Sequence, residues 1–127
     1  MRVEAAGSAL VSVVDDDESV RESLPDLLRE CGFAVRAFAS AGAFLESDAL
    51  DRTQCLILDI AMPGMSGPDL QRELQRRGRQ LPIIFITARA DDVLRQRLIE
   101  RGAVDCLFKP FNETALLGAI HAALRPK

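Results

Sequence analysis

Four apolar runs in this chain of 127 residues end on polar residues able to do chemistry. Asp15, Asp16 and Asp17 follow residues 10–14, Asp59 follows residues 55–58, Thr87 follows residues 83–86, and Lys109 follows residues 104–108. Clustered carboxylates repel one another, so at neutral pH they need a proton, a basic partner or a cation. Such an oxygen set suits a hard ion, and Mg²⁺ in particular takes one or two carboxylates, keeps waters and shares a phosphate. Lys109 can pair with Asp59 at rest. Together with a cation it would also suit an incoming phosphoryl group, with Asp59 as nucleophile and Thr87 as hydrogen-bond donor. Taken alone, the acidic run 15–18 reads more simply as a solvated turn or helix start, where carboxylates favour the dipole. Asp59 resists that reading, because an unpaired carboxylate at the rim of a buried strand is costly.

These groups meet only if the elements carrying them are arranged in one particular way. Apolar bursts at residues 10–14, 33–37, 55–60, 83–86 and 104–108 predict five strands, three of them hydrophobic enough to be covered on both faces. Between them, Val20, Leu24, Leu27, Leu28 and Cys31 follow the 3.6-residue helical period, as do Leu70 with Leu74, and Leu116, Ile120 and Leu124. Ser40 can cap the second helix, Ser66 precedes Pro68 in the first turn of the third, and Gly32, Gly78 and Gly102 follow helices. Pro25 falls inside the best periodic helix, where it predicts a kink rather than a helix start at Asp26. The alternation predicts an α/β fold: a (βα)5, flavodoxin-like, doubly wound parallel five-stranded sheet. In the order 2-1-3-4-5 the first and third strands are neighbours, and the polar groups converge on the crevice at the carboxyl ends of the strands.

Length and 48% hydrophobic content allow one packed domain, expected over residues 10–124 with short tails at 1–9 and 125–127. A net charge of −3 gives no electrostatic footprint for direct nucleic-acid binding. Cys31, Cys55 and Cys106 are odd in number, widely spaced and set among apolar residues, so they read as reduced packing thiols. The first nine residues lack the apolar centre of a signal peptide, and no stretch approaches a membrane span. A soluble, cytoplasmic protein is expected.

The runs Val13-Val14-Asp15-Asp16-Asp17, Leu58-Asp59-Ile60-Ala61-Met62-Pro63-Gly64-Met65-Ser66-Gly67, Ile86-Thr87-Ala88 and Lys109-Pro110-Phe111, in that order, resemble bacterial response-regulator receiver domains. They belong to the CheY-like superfamily, and the pattern is most similar to the FixJ-type subgroup, over residues 10–124. The resemblance implies a two-component phosphorelay protein, with Asp59 phosphorylated by a histidine kinase, a phosphotransfer protein or a small phosphodonor. It implies Mg²⁺ held by Asp15, Asp16, Asp59 and the backbone carbonyl of Ala61, a switch hydroxyl on Thr87, a phosphate-binding Lys109, and a cis bond before Pro110. It also implies a signalling domain rather than an enzyme, with a partner or homodimer face on the fourth helix, fifth strand and fifth helix, where Arg97, Arg101 and Asp105 supply charge. Cys106 departs from the pattern. Receivers usually carry Tyr or Phe there as part of the readout, and here the thiol reads as filling the inward space. The resemblance also implies that Ala61 and Arg89 hold positions that tune phosphoryl lifetime. Ala61 has no polar group to orient a water, so slow self-dephosphorylation is expected.

Rival readings fit the residues less well. A phosphatase with an aspartate nucleophile commonly needs a second carboxylate two positions on, where Ala61 stands. A nucleotide binder wants a Gly/Ser/Thr-rich cradle after the first strand, where four acidic residues would repel phosphate. A constitutive interaction module would not need Asp16, Asp59, Thr87 and Lys109 together. His121 reads as a surface or packing residue, and Arg72, Arg76 and Arg77 as a solvated helix stripe. A stand-alone receiver and a fragment of a transcription factor both remain open at this point.

Overall fold

The five apolar runs form five parallel strands in the computed structural model, which describes residues 9–125. They are β1 (Leu10–Val14), β2 (Ala34–Phe38), β3 (Cys55–Asp59), β4 (Ile83–Thr87) and β5 (Asp105–Phe108), hydrogen-bonded in the order β2-β1-β3-β4-β5. The helices are α1 (Glu18–Glu30), α2 (Ala41–Leu45), α3 (Gly67–Arg76), α4 (Asp92–Glu100) and α5 (Glu113–Leu124). This is the doubly wound α/β sheet that the alternating pattern implies. Residues 1–8 and 126–127 of the expected tails lie outside the described residues.

Side chains alternate across each strand, and the two sets go into two cores. Val11, Val13, Cys55, Ile57, Ile84 and Ile86 pack against Leu24 and Leu28 of α1 and Leu116 and Ile120 of α5. On the other face Val14, Leu56, Leu58, Ile83 and Phe85 meet Phe44 of α2, Leu70 and Leu74 of α3, and Leu98 of α4. Every residue of β3 and β4 is buried, which explains why these runs show no polar alternation. At about 1.5–3 kcal/mol for each fully buried Leu, Ile or Phe, the central strands are the most stable base for the groups at their ends. The one polar intrusion on β1 is satisfied: Ser12 and Thr53 share a hydrogen bond of 2.6 Å, and Thr53 donates to Ala49 O at 2.7 Å.

Helix ends follow the expected chemistry. Ser40 Oγ accepts from Ala43 N–H, and Ser66 and Asp69 form a reciprocal capping box at the start of α3. Helix α1 begins at Glu18 and runs through the buried Pro25. The second crossover is less helical than its neighbours, with a short α2 followed by a 3-10 turn at Asp48–Asp51. Cys31 corrects the packing reading of the three thiols. It caps the carboxyl end of α1, where the chain turns away from the core, and it is exposed, whereas Cys55 and Cys106 are buried.

Strand β5 is a sheet edge, and its open backbone is covered by side chains. Cys106 N–H donates to Asp105 Oδ1 at 2.7 Å, and Cys106 O accepts from Arg95 Nε of α4 at 3.1 Å. Arg95 and Asp105 close the arrangement with an ion pair of 2.7 Å.

Candidate functional site

Strand register brings the chemically active residues to one end of the sheet. Val14 is level with Leu58, so Asp15 stands beside Asp59. Asp59 is level with Ile86, which puts Thr87 one step beyond it, and Thr87 is level with Phe108, followed by Lys109. The chain leaves β1 toward β2 and returns to β3 on the other side, so the crevice between β1 and β3 is not bridged by a crossover.

The acidic run divides into three roles. Asp15 is fully buried and its Oδ2 accepts from Lys109 Nζ at 2.9 Å. Asp16 is exposed at the mouth of the crevice. Asp17 is the N-cap of α1, its Oδ1 accepting from Ser19 N–H at 2.9 Å and Ser19 Oγ at 2.7 Å. Those hydrogen bonds, the side-chain one first, hold the Asp17 carboxyl below the usual range. The simple helix-start reading is therefore right for one of the three aspartates.

Asp59 is buried, and Lys109 Nζ lies 3.9 Å from its Oδ1. The expected resting pair exists, but the ammonium sits closer to Asp15. Burial pushes the Asp59 carboxyl up, the Asp15 charge adds to it, and the pull of Lys109 only partly offsets them, leaving Asp59 at about 7. For Lys109, burial acts downward, but the Asp15 hydrogen bond and the Asp59 and Asp15 charges outweigh it and the net shift is upward. One ammonium thus faces two buried carboxylates, and the crevice has room for more positive charge.

A hard cation fits that requirement. One oxygen each from Asp15, Asp16 and Asp59 lie within 4.8 Å of one another. Ligand oxygens at ~2.1 Å from Mg²⁺ are at most ~4.2 Å apart, so a small inward movement would suffice. The exposed side of Asp16 leaves space for the waters that Mg²⁺ retains.

The surrounding loops are tied to β3 and its last residue, Asp59. After β3, Met62 packs into the core, while Ala61 is exposed beside the crevice. Gly67 N–H donates to Ile60 O at 2.9 Å, and a Cβ built on Gly67 would lie 2.4 Å from Asp59 O. Only glycine lets α3 begin this close to Asp59. At β4, Thr87 is buried and its Oγ1 accepts from Arg89 N–H at 3.1 Å. Lys109 N–H donates to Thr87 O at 2.7 Å, and the Lys109–Pro110 bond is cis.

Asp15, Asp16, Asp59, Thr87 and Lys109 all come together at this end of the sheet, with Ala61 on the adjoining loop. Cys106 is buried on the α4 side of the sheet, and burial pushes its thiol up to about 11, the behaviour of a packing residue. Asp105 is half-buried and paired with Arg95 of α4. Arg72, Arg76 and Arg77 are exposed and pair with Asp69 and Glu73 along their own helix. His121 is exposed, its ring 6.3 Å from that of Phe33. The sequence reading gave no individual role to Gly67 or Arg95. For Gly67 no local signal exists, since its reason is a tertiary contact. For Arg95 the acidic residue ten positions on was a usable hint.

Comparison with known proteins fits this geometry. The family model described as "Response regulator receiver domain" matches residues 11–121. Response regulator protein TodT of Pseudomonas putida is 46% identical over 118 residues, covering 93% of this chain and 52% of TodT. Nodulation protein W of Bradyrhizobium diazoefficiens is 48% identical over 120 residues, covering 94% of this chain and 53% of that protein. Among solved structures, FixJ-N superposes with a TM-score of 0.83 at 41% identity, covering 92% of this chain and 94% of its own. The chain spans about half the length of the curated relatives it matches.

Proposed function

The chain belongs to the response regulator receiver domain family of two-component systems, and from that membership we propose that Asp59 accepts a phosphoryl group from a histidine kinase, a phosphotransfer protein or a small phosphodonor. The observation that carries the reading is the ion-pair network of two buried carboxylates, Asp15 and Asp59, around the single ammonium of Lys109. In the transfer, an Asp59 oxygen bonds to phosphorus as the phosphorus–nitrogen bond of a phosphohistidine breaks. The departing imidazole nitrogen keeps the electron pair and takes up a proton. Lys109 neutralises phosphoryl charge from the side of Asp15, which holds it by a hydrogen bond. Thr87 accepts from Arg89 N–H and retains its own O–H to donate to a phosphoryl oxygen.

Asp15, Asp16, Asp59 and the carbonyl of Ala61 are the proposed Mg²⁺ ligands. When bound, the ion supplies the positive charge that lets carboxylates and phosphoryl oxygens share the crevice. In the return step water attacks phosphorus, the bond to Asp59 breaks and orthophosphate leaves. The Ala61 methyl cannot orient that water, so the acyl phosphate is long-lived. Phosphorylation then changes what docks on the α4-β5-α5 face, a partner or a second copy, where Arg97 and Arg101 are exposed. The receiver unit is residues 10–124, and the cytoplasm is its proposed site of action.

The test is incubation with Mg²⁺ and acetyl phosphate, read by intact mass, with beryllofluoride binding as a second readout. Uptake of one phosphoryl group is expected in wild type, none in Asp59→Asn, and slower uptake in Asp16→Asn. Decay after donor removal should take minutes or longer, and a half-life of seconds would refute the role given to Ala61. Wild-type protein that takes neither phosphoryl nor beryllofluoride would overturn the whole reading.

A further inference from the structure

Each polar group of Asp15 has a partner. Its N–H donates to Phe38 O of β2 at 3.1 Å, its Oδ1 accepts from Asp17 N–H at 2.9 Å, and its Oδ2 accepts from Lys109 Nζ at 2.9 Å. The carbonyl is taken by a side chain that the phosphoryl chemistry does not use: Arg21 Nη1 donates to Asp15 O at 3.0 Å. Arg21 closes the first turn of α1, its own N–H bonded to Asp17 O, and its side chain runs back toward the start of the helix.

The helix itself gives no reason for a cation there. Cations favour the carboxyl end of a helix, and the amino end of α1 is already served by the Asp17 cap and by Glu18. Arg21 is half-buried, and its Nη1 goes to a neutral main-chain carbonyl rather than to a carboxylate of the acidic run. A donor held against that carbonyl fixes the direction of the C=O, and with it the plane of the peptide joining Asp15 to Asp16.

Asp16 is what this peptide carries. It is exposed and makes no side-chain hydrogen bond to any described residue, so its backbone alone aims its carboxylate. That backbone is held on both sides, the carbonyl before it by Arg21 and the amide after it by Asp15 Oδ1. A rotated peptide would swing Asp16 away from the Asp15 and Asp59 oxygens, which now lie within 4.8 Å of its own.

We infer that Arg21 is a positioning residue for the cation site, holding the Asp15–Asp16 peptide so that the Asp16 carboxylate faces Asp15 and Asp59. The inference rests on the Mg²⁺ reading proposed above. Arg21 acts through Asp16, and groups that orient metal ligands in this way commonly carry a factor of roughly 10–100 in metal affinity. Charge alone predicts the opposite sign. A guanidinium near the crevice repels a cation, so its removal would tighten Mg²⁺ binding if charge were what mattered.

Mg²⁺ alone is the probe, titrated into the full chain and followed by amide shifts. Arg21→Met keeps the apolar stem and removes the donor and the charge. It should weaken Mg²⁺ binding about tenfold while unfolding in EDTA as cooperatively as wild type. Arg21→Lys keeps a charged donor and should bind Mg²⁺ more tightly than Arg21→Met. With acetyl phosphate, the Mg²⁺ concentration giving half the maximal rate should rise in Arg21→Met, while the rate at saturating Mg²⁺ stays within about twofold of wild type. In an Asp16→Asn background, Arg21→Met should change Mg²⁺ affinity little, because the carboxylate it orients is gone. Unchanged or tighter binding in Arg21→Met, an Arg21→Lys no better than Arg21→Met, or an equal loss in both backgrounds would overturn the inference and leave the phosphoryl-acceptor reading standing. Wild-type protein indifferent to Mg²⁺ would overturn both.

Discussion

Asp59 lies among charges that oppose its own ionisation. Burial first, and then the Asp15 charge, raise its carboxyl from an ordinary 3.8 to about 7. A raised carboxyl pKa means that the folded protein keeps a proton the unfolded chain has already released. The stability this gives is full below about pH 4 and is lost as pH rises toward 7. Asp59→Asn removes that loss. In urea denaturation with EDTA present, the stability gap favouring the variant should widen from pH 4 to pH 7 and then level off. Its plateau should be on the order of 2 kcal/mol after allowance for solvent screening. A gap that narrows with rising pH would contradict the burial argument. At this scale much is legible in the sequence: the types and positions of Asp15, Asp59, Thr87 and Lys109 suffice, because each ends an apolar run. The preference of Lys109 for Asp15 over Asp59 was not legible, since it depends on differences of about an ångström between neighbouring strands.

Helix α3 and strand β5 each depend on one close tertiary contact. Gly67 starts α3 against the carbonyl of Asp59, leaving no room for a Cβ. Gly67→Ala should destabilise the protein by about 1–3 kcal/mol and slow phosphorylation, because the loop carrying Ala61 must shift. Denaturant titration and acetyl-phosphate uptake measure the two effects, and loss of neither would remove Gly67 from the site. Arg95 caps the open edge of β5 at Cys106 and Asp105. Exposed strand edges invite pairing with other chains. Arg95→Ala should therefore cost little stability yet increase self-association by light scattering or sedimentation. The sequence placed the strands within a residue or two: β3 and β4 are fully buried runs, and β2 and β5 keep an apolar run although they are only partly buried. It did not foresee that α2 is short or that Cys31 faces solvent, because both depend on how tightly the second crossover and the end of α1 fold back on the sheet.

For the molecule as a whole, the site is a sum over the sheet. Only the order β2-β1-β3-β4-β5 puts the ends of β1, β3, β4 and β5 around one crevice. The pattern of runs made a parallel sheet with helices on both faces legible, whereas the order itself came from likeness to the flavodoxin arrangement, in which the polar groups converge. The burial of Gln71 with an unpartnered Oε1 was not legible, because nothing in the local sequence marks it. A cation that binds only the assembled crevice must stabilise the entire fold. At a hundredfold excess over its dissociation constant, Mg²⁺ should add about 2.7 kcal/mol. Thermal melts at pH 7 should show a rise of several degrees in wild type that saturates with Mg²⁺ and shrinks in Asp16→Asn. A melting temperature indifferent to Mg²⁺ would argue against metal binding at Asp15, Asp16 and Asp59.

The hydrogen bond from Lys109 to Asp15 joins residues 94 positions apart. On a ribosome, Asp15 and Asp59 are made long before the lysine that pairs with them. A nascent chain that has reached β4 thus holds Asp15 and Asp59 without the ammonium that pairs with them. Only when the last strand is made does the ammonium reach the two carboxylates, so charge balance in the crevice coincides with completion of the sheet.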